Sequence, residues 1–144
     1  MPDFRRVTDD FYVSPQLDAA DLSLAAAAGF RTVVANRPDG EQPGQLPAAE
    51  VEAAAAAAGL AFHSVALTSP SAATSADIAA MDSVIRSAQG PVLAYCRSGT
   101  RSVTLWALAA VKSGAQSPQQ AIAAARGAGY DLSAMEPALR ALAR

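Results

Sequence analysis

The chain has 144 residues, of which 51% are hydrophobic and 17% are charged, with a formal net charge of -2 and an isoelectric point near 5.2. This length suits a single domain over residues 1–144 with a substantial buried core, and the composition is unlike that of disordered proteins. The slight negative charge argues against a general nucleic-acid-binding protein.

Short apolar runs alternate with helical patterns along the chain. Three helix starts carry a capping residue and a partner three positions later, at Asp18, Thr74 and Ser117. In chain order the predicted elements are strand 11–14, helix 18–29, strand 32–36, helix 48–58, strand 61–67, helix 74–88, strand 91–95, helix 102–111, helix 117–127 and helix 133–144. Strands that alternate with helices favour a parallel sheet. We therefore predict an α/β fold with a central, mostly parallel sheet of about four or five strands flanked by helices.

A loop rich in turn-forming residues, 37–45, follows the second strand. Open α/β sheets bind ligands beyond the carboxyl ends of their parallel strands, which is where this loop would lie. We therefore expect its charged residues, Arg37, Asp39 and Glu41, to line a site. The alternative is a solvated turn that only connects two elements.

The single cysteine, Cys96, lies between an apolar strand and a helix that is apolar throughout. Such a turn directs backbone N–H groups and the positive end of a helix dipole at one point, which suits an anion. A thiol placed there, beside Arg97 and Arg101, should ionise more readily and act as a nucleophile. The alternative is an inert core cysteine, which is common.

One cysteine excludes an internal disulfide, and one histidine, His63, excludes a cluster of histidine and cysteine metal ligands. We expect no metal and no cofactor. We also expect a reducing, cytoplasmic location, because the N-terminal residues show no signal-peptide pattern and no apolar stretch is long enough to span a membrane.

The loop Cys-Arg-Ser-Gly-Thr-Arg-Ser at residues 96–102 resembles two families of active-site loops. Cysteine-dependent phosphatases carry Cys, five residues, Arg, and then Ser or Thr. Many single-domain rhodaneses, which transfer sulfur, have Cys, two residues, Gly, one residue and Arg. Four residues separate Cys96 from Arg101, which equals the rhodanese spacing and is one fewer than the phosphatase spacing.

A longer resemblance extends over roughly residues 4–112. The segments 12–16, 36–41 and 95–102 are similar to a small bacterial phosphatase-like family that also occurs fused to beta-lactamase-like hydrolases. The resemblance implies a fold like that of the protein tyrosine and dual-specificity phosphatases, with Cys96 at the centre of the sheet.

The chain departs from the phosphatase pattern at two places. Tyr95 precedes the cysteine, where phosphatases commonly have His. Dual-specificity phosphatases usually supply an Asp general acid from the loop after the preceding strand, and this chain has Leu67-Thr68-Ser69-Pro70 there. Only Asp39 or Glu41, from the other loop, could replace that acid.

The missing acid favours sulfur transfer, because thiolate attack on thiosulfate expels sulfite, which needs no proton, whereas phosphate ester cleavage normally gains about 10²- to 10⁴-fold from a general acid. The first hypothesis is therefore a rhodanese-like sulfurtransferase with a Cys96 persulfide. Its donor would be thiosulfate or a low-molecular-weight persulfide, and its acceptor a thiol or cyanide.

The alternative hypothesis is a phosphatase with a phosphocysteine, in which Arg101 grips the phosphate of a phosphoester and Asp39 or Glu41 protonates the leaving group. A third is a non-catalytic module that binds oxyanions. In each case the anion would be held by Arg101 together with the other residues of the two loops, namely Arg97, Ser98, Gly99, Thr100, Ser102, Arg37 and Glu41. We expect no nucleic-acid or membrane partner.

Overall fold

The computed structural model describes residues 2–143. Within them, five strands form one mixed sheet in the order β1-β2-β5-β3-β4, in which β1 runs antiparallel to β2 and the remaining neighbours are parallel. The strands are β1 (Arg5–Thr8), β2 (Phe11–Ser14), β3 (Thr32–Ala35), β4 (Ala61–Ser64) and β5 (Val92–Tyr95). The predicted α/β class and the mostly parallel sheet are confirmed.

Six α-helices flank the sheet within the described part of the chain: α1 (Ala19–Ala27), α2 (Ala48–Ala57), α3 (Ser75–Ser87), α4 (Thr100–Lys112), α5 (Pro118–Gly127) and α6 (Glu136–Leu142). Asp18, Thr74 and Ser117 each form the predicted capping box. The side chain of the capping residue accepts from the backbone N–H three positions later, and the side chain of that later residue accepts from the backbone N–H of the capping residue. The helix after the cysteine begins at Thr100, two residues earlier than predicted.

The sheet separates two apolar cores because successive side chains of a strand point to opposite faces. On β5, Leu93 and Tyr95 pack with α1 and α2, whereas Val92 and Ala94 pack in the core that contains α3 to α6. Every residue of β3 and β5 is buried. Helix α4 is buried from Arg101 to Val111, which explains why its sequence after Ser102 is apolar on all sides apart from Thr104.

Strand β1 was not predicted. It contains two arginines and a single buried residue, Val7, and it pairs with β2 through a hairpin with an irregular register between Arg6 and Thr8. An edge strand of this kind lacks the alternating apolar pattern that identifies a strand in a sequence.

The predicted third strand, 61–67, ends at Ser64, but the chain still follows the end of β3. Val65 N–H donates to Ala35 O at 2.9 Å, and Leu67 N–H donates to Asn36 O at 3.0 Å. These bonds bring Leu67 to the carboxyl edge of the sheet, next to the end of β3. No helix within residues 2–143 is both long and apolar enough to cross a bilayer.

Candidate active site

Cys96 directly follows β5, the middle strand of the sheet. Arg97 and Ser98 then turn the chain, and Gly99 precedes α4 with a φ of 101°. This left-handed conformation is one that glycine adopts at little cost. The Gly99 N–H donates to Cys96 Sγ at 3.0 Å. The turn therefore directs a backbone donor at the sulfur.

The first turn of α4 supplies further donors. Val103 N–H is bonded to Gly99 O at 3.0 Å, whereas the N–H groups of Thr100, Arg101 and Ser102 come too early in the helix to have an acceptor within it. Gly99 has no side chain to cap them. Together with the positive end of the helix dipole, these donors make the start of α4 chemically suited to an anion beside Cys96.

Arg101 is buried and is held on two sides. Its Nη1 donates to Glu41 Oε2 at 2.6 Å and to Leu67 O at 2.9 Å, and its Nη2 donates to Glu41 Oε1 at 2.9 Å. The pKa of Arg101 is raised, first by the hydrogen bond with Glu41 and further by the neighbouring Cys96. The structure thus brings the predicted residues Cys96, Arg101 and Glu41 together and adds the Leu67 carbonyl, which was not predicted.

Arg37 supports Glu41 from the other side. Its Nε donates to Glu41 Oε1 at 2.9 Å, and its two terminal nitrogens donate to Gln16 Oε1 at 2.9 Å and Gln42 Oε1 at 3.0 Å. Arg37 is only 5% exposed, which places its guanidinium behind Glu41. Its predicted contact with substrate therefore stays a prediction, while its contact with Glu41 is a structural finding.

Two arginines act on the ionisation of Glu41. The hydrogen bond with Arg101 is the largest cause, and that with Arg37 acts in the same direction, so that the pKa of Glu41 falls to about 2 despite some desolvation. At neutral pH the Glu41 carboxylate is ionised and carries no proton to donate.

Asp39 lies in the same loop but is exposed. Its Oδ1 accepts a hydrogen bond of 2.8 Å from the backbone N–H of Ala48, the first residue of α2. Asp39 therefore fixes the loop to the start of that helix, and its predicted role as proton donor stays a prediction.

The remaining predicted site residues occupy different environments. Arg97, Ser98 and Thr100 are exposed, and the hydroxyls of Ser98 and Thr100 lie 3.2 Å apart. Ser102 is fully buried, and its Oγ has no hydrogen-bond partner among residues 2–143. A buried hydroxyl without a partner is unusual in a native protein, so Ser102 is a candidate donor to the cysteine or its adduct.

One contact of the cysteine loop was not predicted from the sequence. The hydroxyl of Tyr130, which lies between α5 and α6, donates to Ser98 O at 2.7 Å. The two residues are 32 positions apart, and nothing in the local sequence of either one predicts the contact. The contact of Arg101 with the Leu67 carbonyl could not be predicted either, because every residue type has a backbone carbonyl that can accept a hydrogen bond.

The comparisons with known proteins agree with this architecture. The family described as beta-lactamase hydrolase-like protein, phosphatase-like domain, matches residues 3–115. A beta-lactamase hydrolase-like protein of Agrobacterium fabrum is 37% identical over 103 residues, which are 72% of this chain and 24% of that protein. The chain therefore spans about a quarter of the length of this curated relative.

Solved structures of phosphatase-like proteins share the fold. A candidate phosphatase from Neisseria meningitidis superimposes with a TM-score of 0.85 and 31% identity, covering 99% of both chains. A cysteine variant of Pseudomonas aeruginosa TpbA, solved in complex with phosphotyrosine, superimposes with a TM-score of 0.69 and 18% identity, covering 97% of this chain and 87% of that one. This second likeness shows the fold alone. From the sequence match over residues 3–115, the chain belongs to the family of the phosphatase-like domain of beta-lactamase hydrolase-like proteins.

Proposed function

We propose that the chain is a cysteine-dependent phosphatase that hydrolyses phosphoric monoesters through a phosphocysteine on Cys96. The family and the fold support phosphoryl transfer over sulfur transfer, which is the first hypothesis from the sequence alone. The observation that carries the proposal is the way in which Arg101 is held.

Glu41 and Leu67 O engage three N–H groups of the Arg101 guanidinium, two on Nη1 and one on Nη2. Within residues 2–143, no oxygen accepts a hydrogen bond from the Nε–H or from the second N–H of Nη2, and the sulfur of Cys96 is a neighbour of the same guanidinium. These two donors lie side by side on one edge of the planar group, which is the arrangement that binds two oxygens of a phosphate. Glu41 thus fixes the arginine and leaves its second edge without an oxygen acceptor, so that this edge can bind a phosphate held next to Cys96.

In the first step of the proposed reaction, the Cys96 thiolate attacks phosphorus. A P–S bond forms, the bond between phosphorus and the ester oxygen breaks, and the leaving group departs with the electron pair. The charge on the three equatorial oxygens is stabilised by Arg101 and by the N–H groups at the start of α4.

In the second step, water attacks the phosphocysteine, the P–S bond breaks, and inorganic phosphate and the Cys96 thiolate are released. Sulfur leaves as an anion, so a donor to it lowers the barrier. Gly99 N–H already makes such a bond at 3.0 Å, and the buried hydroxyl of Ser102 is available to make another.

The leaving group is expected to depart without protonation by the protein. Glu41 is ionised and bound by two arginines, Asp39 binds the start of α2, and the segment Leu67–Pro70 has no carboxyl group. Substrates with a stable anionic leaving group, such as aryl phosphates, therefore suit the site better than alkyl phosphates.

Sulfur transfer remains a second candidate because of one specific observation. Four residues, rather than five, separate Cys96 from Arg101, and a persulfide needs a smaller ring of donors than a phosphoryl group. The same cysteine and arginine would then take the outer sulfur of thiosulfate, release sulfite, and pass the sulfur to a thiol acceptor.

A side-by-side assay separates the two reactions. Wild-type protein and a Cys96→Ser variant are given an aryl phosphate, or thiosulfate with a thiol acceptor, and phosphate and sulfite release are measured. We expect phosphate release that requires Cys96 and exceeds the sulfite release. Sulfite release that requires Cys96, with no phosphate released, would reverse the assignment.

A further inference from the structure

Tyr130 contacts the cysteine loop from a part of the chain that the family match does not include, since that match ends at residue 115. Helices α5 and α6 on either side of Tyr130 pack on α4, and their buried residues Ala121, Ala125 and Leu139 belong to the same core. The segment that carries Tyr130 is thus fixed to the helix that begins at the cysteine loop.

The backbone of Tyr130 is held at the end of α5. Gly129, with a φ of 95°, donates its N–H to Arg126 O at 2.9 Å, and Tyr130 donates its N–H to Ala125 O at 2.9 Å. This pair of bonds is the Schellman motif, which fixes the direction in which the chain leaves a helix. Tyr130 therefore has a defined position and does not lie on a free loop.

The ring of Tyr130 is enclosed as well. Tyr130 is 7% exposed, and the guanidinium carbon of Arg5 lies 5.2 Å from the ring centroid, where a cation is attracted to the ring face. Arg5 is in turn paired with Asp3 at 2.8 Å. Burial raises the pKa of Tyr130, so its hydroxyl keeps its proton at neutral pH and acts as a donor.

The hydroxyl of Tyr130 donates to the carbonyl oxygen of Ser98 at 2.7 Å, and the N–H of Gly99 donates to Cys96 Sγ at 3.0 Å. That carbonyl and that N–H belong to one peptide unit. A trans peptide is planar, and its C=O and N–H point in opposite directions. Holding the oxygen at Tyr130 therefore holds the N–H towards the sulfur.

Gly99 is matched to this contact. A Cβ built on Gly99 would lie 2.1 Å from the hydroxyl oxygen of Tyr130 and 2.8 Å from the ring carbon that carries it. Gly99 thus permits both the left-handed backbone and the close approach of Tyr130.

We propose that Tyr130 is a positioning residue that fixes the Ser98–Gly99 peptide, so that the Gly99 N–H stays directed at the Cys96 sulfur. Without the hydroxyl, the Ser98–Gly99 peptide is free to rotate. Its N–H can then turn away from the Cys96 sulfur. The proposal rests on the proposed function only in taking Cys96 as the nucleophile, and it holds for phosphoryl and for sulfur transfer alike.

The test uses the reactivity of Cys96, which is the chain's single cysteine, so that an alkylating reagent reports on that residue alone. The alkylation rate with iodoacetamide is measured from about pH 5 to about pH 9 for wild type and Tyr130→Phe, since the thiolate is the reactive form. We expect the pH midpoint to rise by about 0.5 to 1 unit in Tyr130→Phe, which matches one weakened hydrogen bond to a charged group.

Tyr12→Phe is the matched control. Tyr12 is a half-buried tyrosine of β2 whose ring packs on Phe30 at 5.0 Å, in the core on the other side of the sheet from Tyr130. Its midpoint should equal that of wild type. Equal midpoints in Tyr130→Phe and wild type would overturn the proposal, whether or not the protein hydrolyses phosphate. Absence of hydrolysis with the midpoint shifted as expected would instead overturn the proposed function alone.

A second measurement needs no variant. If the Gly99 N–H is directed at the sulfur, its backbone amide resonance moves when Cys96 ionises, because a hydrogen bond to a charged acceptor is stronger. A wild-type Gly99 amide resonance that does not respond to the titration of Cys96 contradicts the geometry, even if Tyr130→Phe fails to fold.

Discussion

Glu41 binds one edge of the Arg101 guanidinium with both carboxylate oxygens, at 2.6 and 2.9 Å, although 60 positions separate the two residues. The pair joins the loop after β3 to the first turn of α4. It makes the orientation of Arg101 depend on a residue of another loop.

Replacing Glu41 with Gln should lower kcat/KM for an aryl phosphate by about 10- to 100-fold, because Arg101 loses a charged partner worth about 1.5 to 3 kcal/mol. Glu52→Gln, at an exposed position of α2, is the control and should match wild type. The measurement is kcat/KM for an aryl phosphate in wild type, Glu41→Gln and Glu52→Gln. Unchanged kinetics in Glu41→Gln would show that Arg101 needs no such support.

The same carboxylate makes the stability of the protein depend on pH. The pKa of Glu41 is lowered from 4.5 to about 2, chiefly by Arg101, so its stabilising contribution is complete above about pH 4.5 and is lost as pH falls towards 2. Urea unfolding across this window should show stability falling more steeply with acid in wild type than in Glu41→Gln. Parallel curves would mean that Glu41 is not paired in solution.

The choice of leaving group should matter strongly. Over a series of phosphate monoesters, kcat/KM should fall steeply as the leaving group becomes more basic. Alkyl phosphates should react about 10²- to 10⁴-fold more slowly than aryl phosphates, which is the factor that a general acid normally provides. A shallow dependence would contradict departure without protonation. If Asp39→Asn slowed only the reactions of substrates with poor leaving groups, Asp39 would be the proton donor. That is the role that the phosphatase alternative from the sequence gives to Asp39 or Glu41.

Ser102→Ala should leave the stability nearly unchanged, because its buried hydroxyl has no partner to lose among residues 2–143. It should slow the breakdown of the phosphocysteine, so a burst of phenol release appears before the steady state. Thr104→Val removes a second buried, unpartnered hydroxyl of α4 and is the control. Equal kinetics in Ser102→Ala and wild type would remove Ser102 from the mechanism.

Local chemistry explains what the sequence predicted well. The capping boxes at Asp18, Thr74 and Ser117 are set by residues three positions apart, and the buried strand before Cys96 is a continuous apolar run. Such features depend only on near neighbours, so they can be read before the fold is known. The position of Cys96 between β5 and α4 followed from them.

Contacts between distant segments could not be predicted in the same way. Glu41 was expected to contact substrate or donate a proton, and its pairing with Arg101 appears only once the two loops meet. Tyr130 and the Leu67 carbonyl are further cases, because each reaches the loop through the packing of elements far away in the chain. Strand β1 was missed because pairing, rather than composition, makes it a strand.

The most direct test of the account is the mass of the intact protein after rapid mixing with an aryl phosphate and quenching in acid. Hydrolysis through a phosphocysteine predicts one phosphoryl group per chain, localised to Cys96 and absent from Cys96→Ser. A protein that gains no phosphoryl group, but gains a single sulfur on Cys96 when mixed with thiosulfate, would contradict it.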